Sequence, residues 1–327
     1  MSSVLSAPHF HDEAAAYAHV EARVWPDGRV CPHCGVIGSS GPLKGKSNRI
    51  GLYKCYACRK PFSVKVGTVM EASHIPMHVW LQAMHLMASS KKGISSNQLH
   101  RTLGITLKSA WFLSHRIREA MSEGYQRRSG QMGGAGAVVE IDETYLGPDP
   151  ARDSRVRRQI SRGDGRFSRE HLVPIYSLVE RGGEVRSFQI KKADSSTLLG
   201  ILSDQVQRHS RIHTDKARVY YGVHRVFLGG HRTVDHSRGE YVRGDVHTNV
   251  VENYFSIFKR GVYGVYQHVS EKHLGRYLAE YDFRYNQRIA LGIDDQERAD
   301  KALQGVSGKR LTYATPHSRR ALETPPF

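Results

Sequence analysis

The chain has 327 residues, with 48 lysines and arginines against 31 acids and a formal net charge of +17. That length gives two or three domains rather than one small module, and a basic excess of this size points to a polyanionic partner, of which nucleic acid is the commonest. No run of about 18 apolar residues occurs, and the N-terminus lacks the basic-then-apolar order of a signal peptide, so a soluble, cytoplasmic, nucleoid-associated protein with no membrane partner is expected, although basicity alone would also fit a ribosomal or membrane-surface protein.

All four cysteines fall in one window, Cys31 and Cys34 in CPHCG and Cys55 and Cys58 in CYAC, two C-x2-C pairs separated by twenty residues. Each pair forms a knuckle that aims two sulfurs at one metal, and two knuckles complete a tetrahedron, so a structural Zn2+ is expected. With four sulfurs the site is closed and does no chemistry; His33, inside the first knuckle, reads as a surface residue. Two disulfides are the alternative, disfavoured in a chain without a secretion signal. Between the knuckles GPLKGKSNRIGLYKC reads as a hairpin and KPFSVKVGTVM as a further strand, so residues 1–70 comprise an N-terminal segment and a zinc ribbon.

Next, IPMHVWLQAMHLMASS carries Val79, Leu81, Met84, Leu86 and Met87 at amphipathic helical spacing. ISSNQLHRTLGITLKSAWFLSHRIREAM reads as helix, turn at Gly104, helix, with Ser95 or Ser96 capping the first and Thr106 the second. Residues 71–126 are thus expected to form a helix-turn-helix whose second helix offers Lys108, Ser109, His115 and Arg118 to a DNA groove. An ordinary α-hairpin is the alternative, and the basic ribbon beside it favours DNA.

RRSGQMGGAGA marks a Gly-rich linker over 127–136, and a catalytic domain over 137–290 follows. AVVEIDETYLG is an alternating strand carrying Glu140, Asp142 and Glu143; EHLVPIYSLVE and EVRSFQIKK are strands joined at Gly182 and Gly183. SSTLLGILSDQV is a capped amphipathic helix, and RIHTDKARVYYG is a short strand ending in Asp215. HTNVVENYFSIFKRGVYG is a helix bearing Glu252 and, seven residues or close to two turns later, Lys259. Three acids converging at one edge of a mixed sheet repel one another unless cations neutralise them. Two divalent ions about 4 Å apart are therefore expected, an arrangement that serves phosphodiester chemistry, and an oxygen-only donor set selects Mg2+ or Mn2+.

Asn249, a turn before Glu252 and uncharged, is expected to orient that carboxylate, and Lys259 and Arg260 to hold DNA phosphate. His213 alternates with Asp215 and His247 precedes the helix; both are candidates to shape the site or carry a proton, with hydrogen-bonded scaffold as the alternative. Tyr277, Tyr281, Phe283 and Tyr285 read as the packed face of the last helix. Residues 151–170 hold seven arginines against two aspartates, a loop expected to touch DNA phosphate or, alternatively, a solvated one, and residues 291–327 are expected to be a C-terminal tail.

EIDETYLG, HTDKARVYYG and HTNVVENYFSIFKRGVYGVYQHVSEKHLGRYLAEYDFRYNQR resemble the three acid motifs of the DDE transposases of bacterial insertion sequences, in the group with an N-terminal zinc ribbon. The resemblance spans nearly the whole chain. It implies an α/β (α+β) architecture, a ribonuclease H-like mixed sheet flanked by helices, after the zinc ribbon and helix-turn-helix. It also implies Asp142, Asp215 and Glu252 as the catalytic acids and Lys259 as the basic residue downstream of the third. Relatives with asparagine at an acid position make Asn249 a rival. The implied function is binding of the element's ends, cleavage of DNA, and joining of the 3′-hydroxyl ends to target DNA by two-metal transfer, in a homo-oligomer assembled on DNA. A DNA-binding regulator that no longer cuts and a nuclease without strand transfer are the alternatives; the intact acids weigh against the first.

Overall fold

The computed structural model describes residues 3–45, 48–122, 130–147 and 172–312, so the arginine-rich segment 151–170 lies outside the described residues. The chain divides into two compact units, one of Met1–Ser89, Ile94–Ser122 and Asp294–Phe327, the other of Ser90–Gly93 and Glu123–Ile293.

The first unit opens with helix α1, Glu13–Val24, capped by Asp12, whose side chain accepts the Ala15 amide. Only Ala16 and Val20 of the helix are buried, so its apolar stripe is too thin to mark it within the N-terminal segment expected over this stretch. Strands β1 (Ser40–Pro42), β2 (Tyr53–Cys55) and β3 (Pro61–Phe62) form an antiparallel sheet in that order. The strand expected over KPFSVKVGTVM is thus confined to two residues. Beyond Phe62 the chain turns on Ser63 and Lys65 instead of continuing a ladder, and the Val69 amide bonds to the Val306 carbonyl.

Helix α2 (Met77–Ser89) buries Val79, Trp80, Leu81, Met84 and Met87. Helix α3 (Ser96–Leu103) is capped by Ser95 and ends at Gly104, whose φ of 65° is a left-handed conformation that glycine adopts without steric cost. Thr106 caps α4 (Leu107–Met121). The pair forms the helix-turn-helix, but two residues expected to face a groove do not. His115 and Arg118 are each 1% exposed, because from Leu113 to Ile117 and beyond α4 is buried on nearly every side. Arg118 donates to Ser114 Oγ at 3.1 Å inside the unit, so its assignment to DNA is corrected. Lys108, in the first turn, is exposed.

The second unit contains β4 (Val138–Leu146), β5 (Val173–Glu180), β6 (Val185–Gln189), α5 (Ser195–Gln205), β7 (Arg211–Asp215), β8 (His231–Val234), α6 (Asn249–Gly261) and α7 (Glu271–Asn286). Its sheet runs β6-β5-β4-β7-β8. β4, β5 and β6 are antiparallel neighbours, while β7 joins β4 in parallel and β8 joins β7 in parallel. An antiparallel meander extended by two parallel strands is the ribonuclease H-like order. On one face Val139, Ile141 and Ile212 pack with Leu198 and Leu202 of α5. On the other, Ile175, Val179 and Val185 pack with Val251, Tyr254, Phe255 and Phe258 of α6 and Leu274, Leu278 and Tyr281 of α7. Because side chains alternate along a strand, Glu140 and Asp142 on β4 and His213 and Asp215 on β7 share the face that α6 covers.

The chain returns to the first unit as α8, Asp295–Gln304, which packs against α2 and buries Ala302 and Leu303. The tail expected from residue 291 is therefore structured in its first part. Seven of the helix's ten residues are Asp, Gln, Glu, Arg or Lys, and its small apolar face hides the helix from a periodicity argument. Among the described residues no helix is long and apolar enough to cross a membrane.

Candidate active site

Asp142 is half-buried on β4, and one of its oxygens accepts the Glu143 amide at 2.8 Å. Asp215 ends β7, where its carboxylate accepts the Ala217 amide at 3.1 Å and is fixed as the chain leaves the sheet. Glu252 stands in the first turn of α6, with Oε1 accepting the Thr248 hydroxyl at 2.8 Å and lying 3.6 Å from His236 Nε2. The three acids come from segments far apart in the chain, yet each acts on the same field. Burial pushes the Asp142 carboxyl well above the usual carboxylate range, and the charges of Glu143, Asp215 and Glu252 push it further, against the opposing Glu143 amide. Lys259, half-buried, is drawn below the usual lysine value by burial, with the charge of Asp142 acting in the opposite direction. The helix thus brings an acid and a base of one stripe to the same carboxylate cluster.

Other expected residues sit differently. Asn249 is exposed, and Thr248 instead holds the Glu252 carboxylate. His213 and His247 gather around Glu140 and Arg181 on the same sheet face: Arg181 Nη2 is 3.2 Å from His213 Nδ1, and His247 Nδ1 is 3.1 Å from Glu140 Oε1. Burial, then the Arg181 charge, lowers His213 to about 4, so its ring is neutral near pH 7. Arg260 is exposed and donates to the Ser256 carbonyl at 3.1 Å. Thr248, His236 and Glu140 were not assigned from sequence. Only Glu140 carries a signal in the sequence: it is an acid amid the apolar residues of VVEIDE, and an acid buried in such a strand requires partners.

In the ribbon, Cys31 Sγ lies 3.7 Å from Cys58 Sγ, and Cys34 Sγ lies 3.7 Å from Cys55 Sγ. A zinc ion about 2.3 Å from four sulfurs at tetrahedral corners separates them by about 3.8 Å, so the thiols fit that ion. All four are free thiols, which removes the disulfide alternative. Among the described residues they are the one group of three or more His, Cys, Asp or Glu whose ligand atoms all lie within 4.8 Å of one another. The carboxylates around Asp142 stand further apart. Gly35 and Arg59, each directly after the second cysteine of a knuckle, both have positive φ, 75° and 61°.

Residues 133–286 match the ISXO2-like transposase domain, and residues 11–61 match the transposase zinc-ribbon domain. Both matched segments are domains of zinc-ribbon DDE transposases. A protein of Halobacterium salinarum described as an uncharacterized protein in transposable element ISH50 is 28% identical over 267 residues, 80% of this chain and 86% of its own length. A chain from the cryoEM structure of the simian T-cell lymphotropic virus intasome in complex with PP2A regulatory subunit B56 gamma matches at 14% identity and a TM-score of 0.29. That match covers 57% of this chain and 63%, less than two thirds, of the other, and is too slight to bear on the fold. The transposase domain match contains all three acids, Asp142, Asp215 and Glu252, and the ribbon match contains all four cysteines.

Proposed function

We propose that this transposase binds the ends of an insertion sequence, cleaves the DNA there, and joins the freed 3′-hydroxyl ends to target DNA. The observation that carries this reading is the shared field of Asp142, Asp215 and Glu252, within a segment that matches a transposase domain. An oxygen-only set of mutually repelling carboxylates fits Mg2+ or Mn2+ better than softer metals. Two such ions, when bound, would activate the attacking water or hydroxyl and stabilise the leaving oxygen.

The chain's own groups have distinct duties in this scheme. Asp142 and Asp215, fixed by the amides of Glu143 and Ala217, hold the cations from the sheet. Glu252 holds them from α6, its carboxylate kept from swinging by the Thr248 hydroxyl. Lys259, within reach of the Asp142 field, neutralises a phosphodiester brought to the acids, and exposed Arg260 and Lys108 contact DNA phosphate. The thiolates of Cys31, Cys34, Cys55 and Cys58 hold a zinc ion that keeps the ribbon folded. Assembly on paired ends requires more than one copy of the chain, and nucleoid association follows from the substrate.

The test is an assay of the purified chain on labelled duplexes carrying an element end, with Mg2+ or Mn2+. Cleaved ends and joined products are expected, and Asp142→Ala, Asp215→Ala and Glu252→Gln should each abolish both while leaving end binding intact. Binding without cleavage by the wild type would favour a regulator. Cleavage without joined product would favour a nuclease.

A further inference from the structure

Glu140 precedes Asp142 by two residues on β4 and shares its sheet face, yet it is 0% exposed. A carboxylate buried in this way is strongly destabilising unless charge and hydrogen bonds compensate it, so its partners reveal its role. One oxygen accepts Arg181 Nε at 2.6 Å. The other accepts the backbone amides of Val250 at 2.8 Å and Val251 at 3.3 Å. These are the second and third residues of α6, whose first-turn amides have no partners within the helix and carry its positive dipole end. Glu140 therefore caps α6 from the neighbouring strand. Thr248, at the N-cap position, makes no side-chain cap of its own, and its hydroxyl is turned to Glu252 Oε1. Arg181 reinforces the same junction by donating to the carbonyls of Asp245 at 2.8 Å and His247 at 3.2 Å, in the segment that leads into the helix.

We propose that Glu140 is a positioning residue for the acid cluster. By taking over the cap of α6 it frees Thr248 to orient Glu252, and it fastens the helix that carries Glu252 to the strand that carries Asp142. The proposal rests on the reading of these acids as cation ligands. A buried ion pair that only stabilised the fold would contribute to melting temperature and leave the cluster's affinity for a cation untouched.

The experiment uses the full chain, Mn2+ alone as probe, and two readouts: Mn2+ affinity by titration, and hydrogen exchange of the amides at the start of α6. Glu140→Gln should speed exchange at Val250 and Val251 and weaken Mn2+ binding about tenfold, the low end of what losing an outer partner costs a metal site. Thr248→Val should weaken Mn2+ binding without speeding exchange at those amides, and Thr248→Ser should restore it. A folded Glu140→Gln protein with wild-type Mn2+ affinity overturns the proposal. If Glu140→Gln does not fold, the Thr248 pair decides, and wild-type Mn2+ affinity in Thr248→Val overturns it. Asp142→Ala tests the metal reading separately: wild-type protein that binds no Mn2+, or Mn2+ binding that survives this change, removes that reading. Exchange at Val250 and Val251 still decides whether Glu140 caps the helix.

Discussion

Lys259 is the residue whose position most narrows its role. Seven residues separate it from Glu252, too far for the i to i+4 pair that an acid and a base on one helix usually form, and it lies half-buried where the Asp142 charge reaches it. Lys259→Ala should therefore weaken binding of the element end and lower the slope of log affinity against log salt by about one, the signature of one lost phosphate contact. A salt series of end-binding isotherms measures it, and an unchanged slope would assign Lys259 to the acids alone. Arg59 makes a second residue-scale case. It holds φ at 61° behind Cys58, where its counterpart behind Cys34 is Gly35. A left-handed non-glycine residue costs about 1–2 kcal/mol, so Arg59→Gly should raise the ribbon's resistance to zinc chelation, read as a slower release of zinc to a colorimetric chelator.

At the scale of elements, α6 joins a catalytic edge to a packed face, and Gly261 at its end shows how little room the packing leaves. A Cβ there would fall 1.6 Å from the Tyr281 hydroxyl and 2.5 Å from the Lys92 carbonyl, which Tyr281 already joins by a 2.6 Å hydrogen bond. The carbonyl belongs to backbone and cannot rotate away. Gly261→Ala is expected to cost about 1–3 kcal/mol, as overpacking does, and thermal denaturation followed by tyrosine fluorescence would register it. The ribbon depends on different forces. Its three strands are two or three residues long and its core cluster is Cys31, Cys55 and Phe62, with Trp25, Tyr53, Cys58 and Val66 packed against it. That is too little apolar area to fold without a metal staple. Chelation should release one zinc per chain and unfold β1–β3, seen as loss of amide protection at Tyr53 and Phe62, while the mixed sheet retains its protection.

At the scale of the whole molecule, the first unit is built from both ends of the chain. α8 lies against α2, the Val306 carbonyl accepts the Val69 amide at 3.1 Å, and Lys309 Nζ donates to the Ala120 carbonyl at 3.0 Å. A fragment ending at the Gly-rich linker loses all of this. It should be less stable than the same fragment supplemented with residues 294–312, a difference that denaturant titration of the two would reveal. Asp300 of α8 accepts Arg23 Nε at 2.7 Å and Arg23 Nη2 at 2.8 Å, with His19 Nε2 at 3.3 Å. Burial pushes its carboxyl up, but the hydrogen bonds and charges of His19 and Arg23 prevail and hold it at about 2. A carboxyl held below its unfolded value of about 3.9 stabilises the fold above that pH and loses the contribution as pH falls through the folded value. Asp300→Asn should therefore cost about 1–2 kcal/mol near neutral pH. The gap from wild type should close between about pH 4 and about pH 2, as read from urea midpoints across that range.

The sequence by itself determined the elements whose information is local. The two C-x2-C knuckles specified the four thiols, alternation specified β4 with Asp142, and the caps Ser95 and Thr106 specified where α3 and α4 begin. Asp215 at the end of β7 and Glu252 in the first turn of α6 stand where the sequence pattern put them, whereas Asp142 lies mid-strand, the fifth of the nine residues of β4. Tertiary structure alone decided what depends on contacts between distant segments. Arg118 looked like a groove residue until the packing of α4 buried it, since composition gives a helix's charged residues but not which face its neighbours cover. α8 looked like a tail because its small apolar face acquires meaning only against α2. Glu140 looked like one more acid of VVEIDE, and its partners, Arg181 and the amides of Val250 and Val251, lie 41, 110 and 111 residues away in the chain. A buried charge is tolerated only where such partners converge, and that convergence is a property of the folded sheet and its covering helix.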